Sequence, residues 1–370
     1  MSFARRQALP AAAMALLLSL GCTPDRPAVT EASLDGAPVA STAARSSLDV
    51  RVALSPDTRG DGPVMARVSV TNRSAELVQV PDWQLPSEDL ELAQFVVLRD
   101  GQPVTYAGPH IKRGAMRLVE IVSLAPGATL TYDIDLSRAY DLSRDGRYTV
   151  EFVSRGTTDA QRTLRSSRET FRLAGRSASL SASGPSTLVG PNSAATVSAL
   201  AGLLTYTNCT ATQQTQVATA VTAAATYAAQ AKAYMVANAL NSRYTKWFGA
   251  VNATRAATVT TNFTAIDAAF ATKPITVDCG CKKTYFAYVY PTRPYKIYVC
   301  KAFWSATMTG TDSKAGTLIH EMSHFTVVAG TDDWVYGQSG AASLAISNPL
   351  RAIDNADNHE YFAENTPVLP

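Results

Sequence analysis

Two histidines that are four residues apart constrain the C-terminal half of this chain more than any other feature. Residues 320–324 read His-Glu-Met-Ser-His. At this spacing His320 and His324 lie on one face of a helix, where they can bind a metal ion together. A helical run precedes the pair, and either Asp312 or Ser313 is suited to cap its N-terminus. The pattern therefore predicts a helix that carries two metal ligands.

A third ligand is expected from the segment that follows this helix. The Gly330-Thr331 pair turns the chain, so that Asp333 can return to the metal. Two imidazoles and one carboxylate leave the fourth tetrahedral position of zinc to water, which suits a hydrolytic site. Glu321 lies beside the first ligand and could take a proton from that water. Asp332 competes with Asp333 for the metal, and spacing alone does not decide between them.

The sequence around these residues resembles the aspzincin family of zinc metallopeptidases, which contains the deuterolysins and the peptidyl-Lys metalloendopeptidases. Residues 330–337 match every fixed position of the second family signature, Gly-Thr-x-Asp-x-x-Tyr-Gly. Three further segments look like the peptidyl-Lys branch, namely 243–249, 286–291 and 355–362. The resemblance extends from about residue 205 to the C-terminus.

The resemblance implies a role for each residue of the motif. The zinc ligands would be His320, His324 and Asp333, with one Zn²⁺ in the catalytic domain, and Glu321 would be the general base. Tyr336 would donate a hydrogen bond to the oxyanion, although a tyrosine at such a position is also often a core residue. The substrates would be proteins or peptides that contain lysine.

By the same resemblance, Asp357 and Glu360 would form the pocket that recognises lysine. They are three residues apart and share one face of a helix. Two carboxylates in a partly buried pocket repel each other unless a cation joins them, so lysine binding is favoured. A narrow pocket would admit lysine and reject the broader guanidinium of arginine. The adjacent His359 could contact the substrate or a zinc ligand, or it could lie on the surface.

Two alternatives remain beside a lysine-directed zinc endopeptidase made as a proenzyme. If Asp357 and Glu360 lie on a solvated helix face, the chain would be a deuterolysin-like peptidase of broader specificity. The second alternative is a non-catalytic zinc-binding surface protein. Glu321 and Tyr336 argue against the second alternative, because a structural metal requires neither residue.

Residues 1–22 have the pattern of a signal peptide. Two arginines precede a short apolar stretch, 11–20, which is too short to span a membrane. The Gly-Cys end resembles a bacterial lipobox, with lipid added to Cys22, although Ser19 stands where leucine is usual. The alternative is an ordinary signal peptide. Both predict a secreted or extracellular protein, and the lipobox adds a lipid anchor at the bacterial cell envelope.

The local composition and residue patterns along the chain predict a tether and two domains. Residues 23–46 are rich in Pro, Ala, Ser and Thr, which is typical of a flexible tether. Within 47–175, short segments alternate apolar and polar residues and are separated by turn signals, which predicts an all-β immunoglobulin-like sandwich. Such domains precede the catalytic unit in related peptidases and are removed as propeptides; the alternative is an adhesion or carbohydrate-binding module. A Ser- and Gly-rich linker with the maturation site, 176–204, and a catalytic domain, 205–370, would follow.

The catalytic domain is expected to be mainly α, with a zincin-like α+β fold and a small antiparallel sheet. Helices are predicted at about 210–241, 248–270, 338–347 and 355–365, in addition to the motif helix. The segments 284–290 and 295–300 look like a hairpin. By analogy, a strand of this hairpin would hold an extended substrate by backbone pairing.

Cysteine usage fits an oxidising compartment. Without Cys22, four cysteines remain, all in the C-terminal half, and four cysteines allow three pairings. A bridge between Cys279 and Cys281 would be strained, because only one residue separates them. The family resemblance implies the pairs Cys209–Cys279 and Cys281–Cys300. A zinc-cysteine site is the competing interpretation, although the usual Cys-x-x-Cys pairs are missing.

Charge indicates which partners to expect. The net charge of +3 is too small to suggest nucleic acid binding. The expected partners are therefore substrates and, before maturation, the propeptide of the same chain. His110 in the sandwich could cover the zinc at that stage, but nothing in its sequence setting selects this over a surface position.

Overall fold

A computed structural model describes residues 47–54, 62–114, 121–154, 163–175, 203–238 and 240–370 of the chain. The predicted signal peptide with Cys22, the tether at 23–46 and the linker up to residue 202 lie outside these residues. All of the described residues belong to one structural unit, Ser46–Pro370. None of the helices in the described ranges is both long and apolar enough to cross a membrane.

The N-terminal region is built from strands. They are β1 (Leu48–Leu54), β2 (Met65–Asn72), β3 (Val78–Pro81), β4 (Phe95–Arg99), β5 (Gln102–Pro103), β6 (His110–Lys112), β7 (Ile121–Leu124), β8 (Thr129–Asp135), β9 (Gly146–Ser154), β10 (Leu164–Arg165) and β11 (Glu169–Leu173). One sheet has the order β1-β2-β8, a second has the order β10-β9-β4-β5 with β11 also paired to β9, and β3 pairs with β7. All of these pairings are antiparallel.

Alternating side chains create the core of this region. In β1, Val50 and Val52 are buried whereas Arg51 between them is exposed, as expected for a strand with one face on a core. Val50 belongs to the same apolar cluster as Val97 and Val150 of the second sheet. The predicted β-rich region is therefore confirmed, while its immunoglobulin-like topology stays a prediction.

The C-terminal region is mainly helical, as predicted, and contains a small sheet. Its helices are α1 (Ala211–Val236), α2 (Ser242–Phe248), α3 (Ala253–Thr272), α4 (Lys301–Ser305), α5 (Lys314–His324), α6 (Gly337–Ser347), α7 (Pro349–Ala352) and α8 (Ala356–Glu364). Its strands are β12 (Leu204–Thr207), β13 (Ile275–Asp278), β14 (Ala287–Val289) and β15 (Lys296–Val299). Strand β12 begins at Leu204, the last residue of the predicted linker.

Local signals explain where the long helices begin and end. Thr210 and Gln213 form a reciprocal capping box at the start of α1. The helix predicted at 248–270 begins only at Ala253, because Phe248 is the last residue of α2 and the chain turns at Gly249, where φ is 78°. A Cβ at this position would overlap the carbonyl oxygen of Ala345, so the break requires glycine. Asn252 then caps α3 through its side chain.

The small sheet has the order β12-β13-β15-β14-β6, so that its last strand comes from the N-terminal region. The prediction of an antiparallel sheet was wrong in part, since β13 runs parallel to both β12 and β15. Helices α1 to α3 connect β12 to β13, and a crossover of this length permits parallel pairing. The predicted hairpin of β14 and β15 is antiparallel, and so is the pairing of β14 with β6.

Two disulfide bonds lie next to the carboxyl ends of the parallel strands β12, β13 and β15. Cys209, just after β12, is bonded to Cys279, just after β13. Cys281 is bonded to Cys300 at the end of β15. These are the pairs that the family resemblance implies, and they use all four cysteines of the C-terminal half for bridges rather than for a metal.

Candidate active site

Helix α5 carries the histidine motif through the core of the C-terminal region. Ser313 is its N-cap, because the Ser313 side chain accepts a hydrogen bond from the backbone of Gly316. Asp312, the other candidate for the cap, has a left-handed backbone with φ of 51° and points elsewhere. The carboxyl oxygen Oε1 of Glu364 accepts hydrogen bonds from the backbone and hydroxyl of Ser313. The start of the motif helix is therefore held by the end of α8.

Three buried side-chain atoms converge at the C-terminal half of α5. The Nε2 atoms of His320 and His324 lie 3.2 and 3.5 Å from Oδ1 of Asp333. None of the three atoms has a hydrogen-bond partner in the part of the chain that the structure describes. Buried polar atoms without partners are costly, and a cation between them would satisfy all three. Two imidazole nitrogens and one carboxylate oxygen are a donor set that suits zinc.

The geometry separates Asp333 from Asp332. The Asp333 side chain is almost fully buried against both histidines. The Asp332 side chain is half exposed, and its nearest histidine contact is 4.0 Å from Nδ1 of His110. Asp333 is therefore the aspartate that faces the histidine pair.

The other ring nitrogen of each motif histidine has an oxygen nearby. Nδ1 of His324 is 2.7 Å from the carbonyl oxygen of Thr331. Nδ1 of His320 is 2.8 Å from Oδ1 of Asp357. If each Nδ1 donates to its oxygen, each Nε2 keeps its lone pair directed toward the centre, as a metal ligand needs.

Glu321 and Tyr336 supply the remaining polar groups of the site. Burial raises the pKa of the Glu321 carboxyl to about 7, although the neighbouring His320 and His324 act to lower it. Burial and the nearby Asp333 raise the pKa of Tyr336 well above its ordinary value, so its hydroxyl stays protonated. That hydroxyl has no hydrogen-bond partner among the described residues and is available as a donor.

Asp357 and Glu360 form a buried acidic pocket next to this centre. Both side chains are completely buried, so the alternative of a solvated helix face is wrong. The pocket contains the ammonium of Lys112 from β6, at 3.0 Å from Oδ1 of Asp357 and 2.7 Å from Oε2 of Glu360. Burial alone would lower the pKa of Lys112, but Asp357 and Glu360 raise it well above its ordinary value. The pocket therefore holds a charged lysine.

A third carboxylate reaches the same ammonium. Oδ1 of Asp312 lies 3.0 Å from Nζ of Lys112 and accepts a hydrogen bond of 2.7 Å from the hydroxyl of Tyr361. The Tyr361 ring also faces the ammonium, 5.1 Å from Nζ to the ring centre. Sequence reasoning considered Asp312 only as a helix cap and missed this contact, because no local pattern connects it to α8.

Strand β6 covers the centre itself. The backbone N–H of Ile111 donates to Oδ2 of Asp333, and the N–H of Lys112 donates to Oε1 of Glu321. The ring of His110 lies 4.7 Å from the ring of His324, centre to centre. His110 consequently lies over the site with only 11% of its side chain exposed, and burial lowers its pKa to about 3.

A cavity of about 160 Å³ remains beside the covered centre. Its walls come from both regions and include Tyr106, His110, Asp333, Trp334 and Tyr336. The N-terminal region therefore fills the lysine pocket but leaves open space on the side of Tyr336.

His359 belongs to the core rather than to the surface. Its Nε2 is 3.1 Å from the amide nitrogen of Asn262, and its Nδ1 is 3.1 Å from the carbonyl oxygen of Asn355. Its ring packs between Phe248 and Phe263. These contacts position α8 and give His359 no direct approach to the pocket.

The chain is similar to several known proteins. The aspzincin family model, described as lysine-specific metallo-endopeptidase, matches residues 233–364. An extracellular protease of Aeromonas hydrophila is 41% identical over 334 residues, which cover 89% of this chain and 95% of that protein. A peptidyl-Lys metalloendopeptidase of Pleurotus ostreatus is 50% identical over 167 residues, 45% of this chain and 99% of that protein. A solved zinc peptidase from Grifola frondosa is 46% identical and covers 43% of this chain and 99% of that one, with a TM-score of 0.42.

Proposed function

Because the chain belongs to the aspzincin family of zinc metalloendopeptidases, we propose that it cleaves peptide bonds on the N-terminal side of lysine. The observation that carries the proposal is the enclosure of the Lys112 ammonium by acidic side chains next to the candidate metal centre. The backbone nitrogen of that lysine lies 3.2 Å from Oε1 of Glu321. A lysine in this pocket therefore lies next to the proposed general base.

The metal in this proposal is one zinc ion held by His320, His324 and Asp333. Their unpartnered, buried atoms fit such an ion. When bound, zinc supplies a Lewis acid that lowers the pKa of a water molecule and polarises the substrate carbonyl. The carbonyl oxygen of Thr331 and the carboxylate of Asp357 would fix the orientation of the two rings.

Glu321 and Tyr336 would carry out the proton transfer and the stabilisation of charge. Glu321 takes a proton from the attacking water and passes it to the lysine nitrogen that leaves. Its burial favours this role, because a carboxyl with a pKa near 7 can both accept and return a proton at neutral pH. Tyr336 donates a hydrogen bond to the substrate carbonyl oxygen, which becomes negatively charged during the attack. This hydrogen bond is stronger in the transition state than in the ground state.

Lysine selectivity would come from Asp357, Glu360 and Asp312 together. Three carboxylates match the three N–H donors of one ammonium. Two of them are completely buried, so an uncharged side chain would leave them without a counterion. The planar guanidinium of arginine is broader and would not fit the same three acceptors.

We place the enzyme outside the cell and propose that it is made as a proenzyme. The signal-like residues 1–22 and the likeness to an extracellular protease support secretion. The β-rich N-terminal region would be the propeptide, because its strand β6 lies across the site. Lipid attachment at Cys22 is a further proposal, which the mass of the N-terminal peptide of the secreted protein would test.

Cleavage-site mapping tests the proposed function. The matured secreted enzyme is incubated with an unfolded protein mixture, with and without a zinc chelator, and the new N-termini are identified by mass spectrometry. Chelator-sensitive cuts that leave lysine at the new N-terminus are expected. Chelator-sensitive cuts without lysine preference would support the deuterolysin-like alternative. The absence of cuts by zinc-loaded, processed protein would support the non-catalytic alternative.

A further inference from the structure

We infer that strand β6 is an internal pseudo-substrate, in which Lys112 fills the lysine pocket and keeps the full-length chain latent. The inference rests on the proposed function, since it takes the acidic pocket to be the lysine-binding site. It goes further by assigning the inhibitory contact to one side chain. Three independent features of the contact support it: the strand pairing, the buried ion network and the direction of one peptide bond.

The first feature is that β6 occupies the edge of the catalytic sheet. It pairs antiparallel with β14, with Lys112 opposite Ala287 and Ile111 opposite Tyr288. The carbonyl oxygen of Lys112 also accepts a hydrogen bond of 3.0 Å from the backbone of Phe286. An extended peptide from another protein would need this same edge. Backbone pairing by a substrate is therefore excluded while β6 is in place.

The second feature is the completeness of the ion network around Lys112. Its side chain has no exposed surface, and three carboxylates lie within 3.0 Å of its ammonium. A lysine of an external substrate can enter only if this ammonium leaves. Because Lys112 belongs to the same chain, it competes at an effective concentration of roughly millimolar or more. Substrates present at micromolar concentrations would not displace it.

The third feature explains how the enzyme could hold this lysine without cutting before it. The N–H of Lys112 points at Glu321, and the Ile111–Lys112 peptide bond is trans. In a trans peptide the C=O points opposite to the N–H, so the Ile111 carbonyl is turned away from Glu321. Water activated by Glu321 would not face this carbonyl. Strand β6 thus places a lysine side chain in the pocket as a substrate would, but it does not present the preceding carbonyl to Glu321.

Lys283 offers a matched control for Lys112. It also joins the two regions, through ion pairs of 3.1 Å with Asp89 and 3.0 Å with Glu91. The Lys283 side chain is half exposed and is not part of the acidic pocket. Such exposed pairs contribute little to stability. Removing Lys283 loosens the contact between the regions without opening the pocket.

The test measures peptide binding to full-length, zinc-loaded protein with the substitution Glu321→Gln, which prevents self-digestion. Three proteins are compared: Glu321→Gln alone, and the same protein with Lys112→Ala or with Lys283→Ala. The probe is a fluorescent peptide with a single lysine, and a copy with norleucine at that position reports binding that does not involve the charge. Fluorescence anisotropy gives the Kd values.

We expect Lys112→Ala to strengthen binding of the lysine peptide by at least about tenfold, and Lys283→Ala to change it by less than about twofold. The Kd of the norleucine peptide should change little in either variant. Equal Kd values with and without Lys112 would overturn the inference, and so would an equal gain from Lys283→Ala. If mapping on the matured enzyme finds cuts before lysine while Lys112→Ala binds no better, the inhibitory contact fails and the proposed function stands.

A second measurement does not depend on how well the Lys112 variant folds. The unsubstituted full-length protein is treated briefly with an amine-acetylating reagent and analysed by peptide mass spectrometry. Lys112 should react at least about tenfold more slowly than the exposed Lys283, because its amine is buried and ion-paired. Equal rates, or a first self-cleavage product that begins at Lys112, would overturn the inference.

Discussion

Nδ1 of His320 lies 2.8 Å from Oδ1 of Asp357, the same oxygen that is 3.0 Å from the ammonium in the lysine pocket. One carboxylate therefore contacts a candidate zinc ligand and the group that determines specificity. Glu360 is farther from the same ring nitrogen, at 3.4 Å. The two pocket acids should consequently have separable roles, with Asp357 coupled to the metal and Glu360 mainly to the substrate.

Substitutions in the matured enzyme should separate these roles. Asp357→Asn removes the charge that orients His320 and should weaken zinc binding by about 10- to 100-fold, with loss of lysine cleavage. Glu360→Gln should leave zinc binding nearly unchanged and lower kcat/KM for lysine peptides by at least about tenfold. Competition with a chelator of known affinity and peptide kinetics give the two quantities. Equal zinc loss in both variants would contradict the division.

Glu321→Gln tests the general base. The substitution keeps the size of the side chain but removes the group that accepts the proton, so kcat should fall by about 100- to 10,000-fold. The zinc content should stay at one ion per protein, because Glu321 is not one of the three converging ligand atoms. Elemental analysis and peptide hydrolysis are measured on the same preparation. Near-normal turnover in this variant would mean that Glu321 is not the general base.

A pair of neighbouring substitutions tests the third zinc ligand. Asp333→Ala should lose most of the bound zinc, because the Asp333 carboxylate is the one that both histidines face. Asp332→Ala is the matched control and should keep its zinc, because its side chain is half exposed. Zinc is measured after dialysis against metal-free buffer. Full zinc content in the Asp333 variant would mean that another residue is the third ligand, with Asp332 as the first candidate.

The convergence of the candidate metal ligands could be predicted from sequence because these residues lie close together along the chain. His320, Glu321 and His324 share one helix, and Asp333 follows after a single turn. The short distance along the chain leaves little freedom in how these groups meet. Spacing alone did not decide between Asp332 and Asp333. The family signature favours Asp333, and the structure places the Asp333 carboxylate against both histidines.

The contact of Lys112 with the acidic pocket was not predictable in the same way. Lys112 and Asp357 are 245 residues apart, and β6 has only three residues. A strand this short has no measurable alternation, and its lysine resembles any surface lysine in sequence. The mixed order of the small sheet was missed for a similar reason, because parallel neighbours leave no hairpin signal.

Asp312 should contribute to lysine selectivity, but less than the buried acids. Asp312→Asn preserves the shape and removes one of three charges around the ammonium. Because one third of the Asp312 side chain is exposed, solvent screening should limit the loss in kcat/KM to about three- to tenfold, mainly through KM.

The control for Asp312 is Asp267→Asn. Asp267 on α3 pairs with Lys232 on α1 at 2.7 Å, away from the pocket. Its substitution should leave lysine kinetics unchanged. If Asp312→Asn behaves in the same way as Asp267→Asn, Asp312 is not part of the specificity pocket.

Glu364 should make the stability of the protein depend on pH. Burial, with a smaller contribution from Glu360, raises the pKa of the Glu364 carboxyl to about 8 from its ordinary 4.5, against hydrogen bonds from Ser313 that lower it. Between these two values the folded protein holds a proton that the unfolded chain has lost. The free energy of unfolding should therefore fall as the pH rises from about 5 to 8.

Glu364→Gln should remove this part of the pH dependence, because glutamine can still accept the Ser313 hydrogen bonds but does not titrate. The comparison is made in full-length Glu321→Gln protein, which prevents self-digestion and removes the other carboxyl that titrates near pH 7. The free energy of unfolding is measured with urea at pH 5 and at pH 8. Its decrease from pH 5 to pH 8 should be larger by on the order of 3 kcal/mol in the protein with Glu364 than in the protein with glutamine. Equal losses in the two proteins would mean that Glu364 is already ionised at neutral pH and holds Ser313 as a carboxylate.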